Sequence, residues 1–112
     1  MKPAYLANGS RKAAVLDVVM EMALRLGPEI FERQSDAITC RRDQTNTLAS
    51  IEVPCLVLCG REDRLCTVQR HEEIAGLVSH ARLEVIEGAG HLPVLEQPEA
   101  TNRALRRWMV EQ

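Results

Sequence analysis

Two residues that can carry acid–base chemistry lie in two short turns of the sequence. His91 ends the glycine-rich turn GAGH, and Asp63 ends the turn GRED. A carboxylate that accepts a hydrogen bond from an imidazole N–H fixes the tautomer of the ring and stabilises the imidazolium ion. Asp63 and His91 would therefore form the acid–base part of a nucleophilic triad if the fold brings them together.

Each turn follows an apolar segment typical of a strand in a parallel sheet. Residues 53–59 form a continuous apolar run, which indicates a strand buried on both faces. Residues 83–87 (LEVIE) are predicted to form the second strand. Helical spacing predicts a helix after each strand, over residues 67–79, with Thr67 as the N-cap, and over residues 98–110. This order predicts an α/β fold with two parallel strands and both turns at one edge of the sheet.

The first part of the chain is predicted to be helical. Residues 11–26 carry apolar side chains around much of a helix circumference, which predicts a helix covered on more than one side. A glycine–proline pair at 27–28 ends this helix and begins a second one, which runs to Thr39. Residues 41–50 are polar with one helical turn, and residues 1–10 are predicted to be a loop.

Residues at the last helix are expected to have structural roles. Glu96 and Glu99 are expected to favour its N-terminus through the helix dipole. Its apolar residues are expected to face inward: Ala100, Ala104, Leu105, Trp108 and Met109.

Composition argues against nucleic-acid and membrane partners and against bound metals. The net charge of −2 gives no basic surface for nucleic acid. Charged residues interrupt the apolar run of residues 13–26, so it resembles neither a signal peptide nor a membrane span. The four cysteines form no C-x-x-C pair and no metal-binding pattern with histidine. We therefore expect no metal, no cofactor and a reducing, cytoplasmic location.

Two short motifs resemble the α/β-hydrolase family. Residues 51–63 (IEVPCLVLCGRED) are similar to its penultimate-strand segment, I-x-x-P-x-L-x-x-x-G-x-x-D. Residues 88–91 (GAGH), followed by residues 96–99 (EQPE), are similar to its histidine loop and last helix. The resemblance implies a partial α/β-hydrolase fold, in which Asp63 is the acid and His91 the general base of a Ser-His-Asp triad.

The same resemblance divides the chain into two parts. Residues 51–112 resemble the C-terminal strand–helix–strand–helix unit of the hydrolase core. Residues 1–50 resemble, more loosely, the end of the helical cap and its return to the sheet. Two strands are too few for a stable sheet, and their outer edges would be unpaired. We therefore expect either a homo-oligomer or a missing N-terminal hydrolase half to complete it.

The nucleophile is absent from these 112 residues. In the family it is the serine of a G-x-S-x-G elbow between a strand and a helix, and none of the serines here lies in such an elbow: Ser10, Ser35, Ser50 and Ser79. Cys59 ends a strand but is not followed by an elbow. Glu62 is an alternative acid, whereas His71 and His80 are expected at the surface.

The expected function is therefore that of the C-terminal portion of a hydrolase. The resemblance implies ester or lactone hydrolysis of a small carbonyl substrate in the complete enzyme, while the isolated chain is expected to be inactive. Two alternatives remain open. The chain could be a non-catalytic, oligomerising remnant of the fold, or a binding or regulatory module that pairs with an intact hydrolase.

Overall fold

The architecture is a two-stranded parallel sheet with helices before, between and after the strands. The computed structural model describes residues 1–111. In chain order, the elements are a 3-10 helix (Pro3–Tyr5), α1 (Lys12–Thr39), α2 (Thr45–Ala49), β1 (Cys55–Gly60), α3 (Val68–Leu77), β2 (Ala81–Ile86), α4 (Pro93–Glu96) and α5 (Pro98–Val110). The predicted α/β class and the parallel pairing of the two strands are confirmed.

The strand boundaries differ from the predicted ones by one or two residues. β1 begins at Cys55 rather than at residue 53, because Pro54 has no N–H to donate to the ladder. Cys55 pairs with Ala81, so β2 begins two residues earlier than predicted. It ends at Ile86 rather than at residue 87, because the chain turns at Gly88, whose φ is +70°.

The strands are less covered than their apolar sequences predicted. The prediction for β1 was burial on both faces, but only its Cys59 and Gly60 are fully buried. In β2 only Ile86 is fully buried. α3 packs on both strands and α5 packs on β2. Ile86, Ala89 and Ala104 form the core cluster. The remaining strand residues are half-buried because the sheet is two strands wide in the described part of the chain.

α1 contains the predicted break. Gly27 has φ +79° and ψ 171°, and Pro28 follows it, so two helical arms meet at this point. The predicted burial of the helix was wrong, because Val15 is the one buried residue of α1 in the described structure. Leu24 is 75% exposed and Phe31 65% exposed.

The other helices match the prediction in part. Thr67 caps α3, because its hydroxyl oxygen accepts a hydrogen bond from the Arg70 N–H at 3.4 Å. α5 has the predicted bounds, and Ala104 faces the core. The inward orientation was wrong for Leu105 and Met109, which are 37% and 60% exposed, because α5 covers a single strand. α4 was not predicted. None of the helices within residues 1–111 has the length and apolar character needed to cross a bilayer.

Candidate functional site: the Asp63–His91 pair

The structure brings the two predicted site residues into direct contact. His91 Nδ1 lies 3.0 Å from Asp63 Oδ2. The two residues follow β1 and β2, so the parallel pairing places them at the same edge of the sheet. The imidazole is 28% exposed, whereas the aspartate side chain is 5% exposed. This geometry is that of an orienting carboxylate and a base. The catalytic roles of both residues stay predictions.

Backbone groups hold the Asp63 carboxylate in its orientation. Its Oδ1 accepts hydrogen bonds from the Leu65 and Cys66 N–H groups, both at 2.9 Å. Aspartate commonly makes such bonds to the backbone that follows it in a turn. Since Oδ1 is occupied by the turn, Oδ2 is the oxygen presented to His91. The backbone N–H groups of this turn therefore fix the orientation of the carboxylate.

The histidine loop lies in close backbone contact with the end of β1. The Glu62 N–H donates to the Ala89 carbonyl at 2.8 Å. A Cβ atom on Gly60 would lie 2.2 Å from the Gly90 carbonyl oxygen, so the two turns can approach this closely only where β1 ends in glycine. The end of β1 thus sets the position of the loop that carries His91.

The N-terminal segment is a part of the site that the sequence prediction missed. The His91 N–H donates to the Tyr5 carbonyl at 2.8 Å. The Tyr5 and His91 rings are 6.4 Å apart between centroids. Leu6 and Ala7 are buried, at 3% and 6% exposure. The run Tyr5–Leu6–Ala7 is a short apolar signal within a segment that was predicted to be a loop.

Glu96 has a different role from the predicted one. It is 3% exposed rather than a surface charge at the start of α5. Its carboxylate accepts hydrogen bonds from the Ala7, Gly90 and Leu92 N–H groups. Glu99, by contrast, is exposed in the first turn of α5, where an acidic residue suits the helix dipole.

The alternative site residues lie elsewhere or are held neutral. Glu62 is exposed, and Asp63 rather than Glu62 contacts the imidazole. His71 lies on α3, where its Nδ1 is 2.9 Å from the Thr67 carbonyl oxygen, and His80 is exposed beyond that helix. Burial, and then the negative charge of Asp63, raise the pKa of the Cys59 thiol, so it is unsuited to be a thiolate nucleophile.

No metal cluster is formed by the part of the chain that the structure describes. Groups of three or more His, Cys, Asp or Glu side chains in a ligating arrangement are absent from residues 1–111.

Comparison with known proteins relates this geometry to one family. The sequence profile of the alpha/beta hydrolase family matches residues 3–104. The AB hydrolase superfamily protein YclE of Bacillus subtilis (strain 168) is 34% identical over 70 residues, which are 62% of this chain and 25% of that protein. The 3-oxoadipate enol-lactonase 2 of Acinetobacter baylyi (strain ATCC 33305 / BD413 / ADP1) is 37% identical over 62 residues, which are 55% of this chain and 23% of that protein.

A solved structure supports the same assignment for most of the chain. The structure described as "Est816 as an N-Acyl homoserine lactone degrading enzyme" superposes with a TM-score of 0.70 at 26% identity, covering 92% of this chain and 42% of that chain. The matched segments amount to about a quarter of the length of the curated relatives. The profile match, the parallel strands and the loops at their carboxyl ends agree, and this chain belongs to the alpha/beta hydrolase family.

Proposed function

We propose that this chain supplies the acid and the base of a Ser-His-Asp triad in an ester or lactone hydrolase. The observation that carries the proposal is the 3.0 Å contact between His91 Nδ1 and Asp63 Oδ2. Similarity to an enol-lactonase and to a lactone-degrading enzyme supports the substrate class. Small carboxylic esters or lactones are therefore the proposed substrates of the complete enzyme.

In the proposed mechanism, each group of the pair has one task. With its Nδ1–H donated to Asp63, the His91 ring has Nε2 as its proton-accepting atom. Nε2 takes the proton from the attacking serine hydroxyl, and the aspartate stabilises the imidazolium that forms. His91 then returns the proton to the leaving alkoxide. In the second half of the reaction it takes a proton from the water that attacks the acyl-enzyme, and it returns that proton to the serine oxygen as the ester bond to the serine breaks and the carboxylic acid is released.

The nucleophile and the oxyanion hole come from outside these 112 residues in this proposal. No serine of the sequence lies in a G-x-S-x-G elbow. The surface on which a nucleophile-bearing half would pack is the apolar one left open beside the sheet and on α1, which includes Phe31, Leu105 and Met109. The isolated chain is accordingly expected to show negligible serine-type turnover.

The same exposed apolar surface favours one alternative, a non-catalytic remnant of the fold that forms homo-oligomers. Light scattering at several concentrations separates the two. A dimer that persists on dilution indicates that a second copy covers the surface and supports the alternative. A chain that associates with a co-expressed N-terminal half of a relative, and not with itself, supports the proposal.

A chimera tests the proposed roles directly. The C-terminal segment of the enol-lactonase is replaced by residues 51–112 of this chain, which include Asp63 and His91, and lactone hydrolysis is measured. Asp63→Asn should lower kcat by about 10³–10⁴-fold, because the imidazole loses its orienting carboxylate. Glu62→Gln, the same change on the neighbouring exposed carboxylate, should stay within about twofold of the unsubstituted chimera.

The histidine is tested in the same chimera. His91→Ala should abolish turnover, whereas His80→Ala, at an exposed position beyond α3, should leave it unchanged. Loss of activity in Glu62→Gln with activity retained in Asp63→Asn would assign the acid to Glu62. Rapid stoichiometric labelling of the isolated chain by a fluorophosphonate, lost on His91→Ala, would contradict the proposal that the nucleophile comes from elsewhere.

A further inference from the structure

Glu96 is a buried carboxylate whose partners are backbone N–H groups. Its Oε1 accepts from the Ala7 N–H at 2.6 Å, and its Oε2 accepts from the Gly90 N–H at 3.0 Å and the Leu92 N–H at 2.9 Å. At 3% exposure, an ionised carboxylate needs such donors to offset its lost hydration. Charge-assisted hydrogen bonds of this kind are stronger than those between neutral groups.

Two of the three donors flank His91 in the chain, and the third lies in the N-terminal segment that contacts the histidine loop. Gly90 and Leu92 precede and follow the histidine, so one carboxylate oxygen holds both of its neighbours. Ala7 belongs to the segment whose Tyr5 carbonyl accepts the His91 N–H. One side chain therefore connects the histidine loop to the segment that packs against it.

Both oxygens of Glu96 have to be acceptors in this arrangement. A glutamine has one acceptor oxygen and one NH₂ group in the same space. Whichever way the amide turned, its NH₂ would face either the Ala7 N–H or the N–H groups of Gly90 and Leu92. One of the two connections would then be lost and a buried donor left without a partner.

We propose that Glu96 is a positioning residue for His91. It holds the loop backbone so that the imidazole Nδ1 meets Asp63 Oδ2, and it touches no reacting atom itself. The inference rests on the proposed function, because the position of His91 matters for catalysis only if His91 is the general base. A base has to be held within about 0.5 Å of its productive geometry. It goes beyond that function by giving a role to Glu96 and to the N-terminal backbone segment, neither of which supplies an atom to the acid–base pair.

The test uses the whole 112-residue chain and nuclear magnetic resonance, so it requires no turnover. The variant is Glu96→Gln, and the matched control is Glu99→Gln, the same change on an exposed carboxylate three residues later. The readouts are the Nδ1–H resonance of His91 and the exchange rates of the backbone amides. The imidazole resonance reports the hydrogen bond to Asp63, which a general loss of stability would not move selectively.

The expected result is local to the histidine loop. In Glu96→Gln, the amide protons of Ala7, Gly90 and Leu92 should exchange at least about tenfold faster relative to those of β1 and β2. The Nδ1–H resonance should move upfield or disappear by exchange with water. Glu99→Gln should change neither readout. Glu96→Asp keeps the carboxylate on a shorter side chain, and it should move the resonance in the same direction.

Three outcomes would overturn the proposal. The first is faster exchange of the three amides with an unchanged Nδ1–H resonance, which would make Glu96 a loop anchor without effect on the imidazole. The second is uniform acceleration of all amides. The third is failure of both Glu96 variants to fold while Glu99→Gln folds, because the role of Glu96 would then be global stability.

Asp63→Asn keeps the failure of this proposal separate from failure of the proposed function. In the parent background it should abolish the downfield Nδ1–H signal. A signal unaffected by Asp63→Asn would show that His91 is not hydrogen-bonded to Asp63, and it would contradict the proposed function. A signal that depends on Asp63 but not on Glu96 would support the acid–base pair and contradict the positioning role of Glu96.

Discussion

The sheet with its two turns and the long helix α1 differ in how completely the rest of the chain buries their side chains. Ile86, Ala89 and Ala104 are at most 5% exposed, and the Asp63 carboxylate is fixed by the turn that follows it. On α1, Leu24 and Phe31 are mostly exposed although the sequence is as apolar as that of a covered helix. The comparison shows that backbone groups of this chain hold the acid–base pair in place, whereas much of the apolar surface of α1 is exposed in the described structure.

An alanine-to-aspartate substitution should have the most different effects on stability in the two regions. Ala104→Asp places an unpartnered carboxylate in the core cluster, and it should cost more than about 3 kcal/mol of unfolding free energy. Ala23→Asp lies on the exposed side of α1 and should cost no more than about 0.7 kcal/mol, through helix propensity. The measurement is urea unfolding followed by the fluorescence of Trp108, the one tryptophan of the chain. Equal losses would mean that α1 is as well packed as the sheet.

A pair of glycine substitutions sharpens the comparison within the sheet region. A Cβ on Gly90 would lie 2.3 Å from the Tyr5 carbonyl oxygen, so Gly90→Ala should push that carbonyl away from the His91 N–H and cost about 2 kcal/mol. Gly76 lies in α3 with nothing within 4 Å of the added atom. Gly76→Ala should therefore stabilise the chain by about 0.5–1 kcal/mol. Urea midpoints would measure both, and a stabilising Gly90→Ala would show that the N-terminal segment does not pack on the loop.

The smallest effect is expected at the exposed rim of the same sheet edge. The hydrogen bond from Arg61, and to a lesser extent its positive charge, lower the pKa of Glu87 from 4.5. A carboxyl group whose pKa is lowered by folding stabilises the fold above its unfolded-state pKa, and it loses that contribution as the pH falls through the folded-state value. Solvent screens this exposed pair, so the contribution is small.

The lowered pKa of Glu87 can be tested with the variant Glu87→Gln. The difference in urea midpoint between the parent chain and the variant should be small at neutral pH and should vanish at a pH well below 4.5. High salt at neutral pH should reduce it as well. A difference that grows on acidification would contradict the assigned direction of the pKa shift.

Side-chain patterns predicted the two strands, the longer helices and the Asp63–His91 pair, because these depend on residue types. Pro98 and the apolar spacing after it marked α5, and a turn residue after each apolar run marked the sheet edge. Parallel pairing then brought the two residues together. The cover of α1 could not be predicted, because helical periodicity indicates which face is apolar but not what lies against it.

Backbone partners explain the features that the sequence did not reveal. Tyr5 contributes a carbonyl oxygen and Ala7 an N–H, which every residue of those types possesses wherever it lies. Glu96 was read as a helix-terminal charge because its sequence position fits that role equally well. Its burial depends on the meeting of residues that are 89 positions apart in the chain.

That separation has a consequence for the order in which the site forms. Asp63 and His91 are 28 residues apart, so their contact closes a short loop as β1, α3 and β2 fold. The contact between Ala7 and Glu96 closes a much longer one, and its chain-entropy cost is higher by about 1 kcal/mol. On this basis the pairing of acid and base can precede the arrival of the N-terminal segment, and the histidine loop acquires its last support only when the two ends of the chain meet.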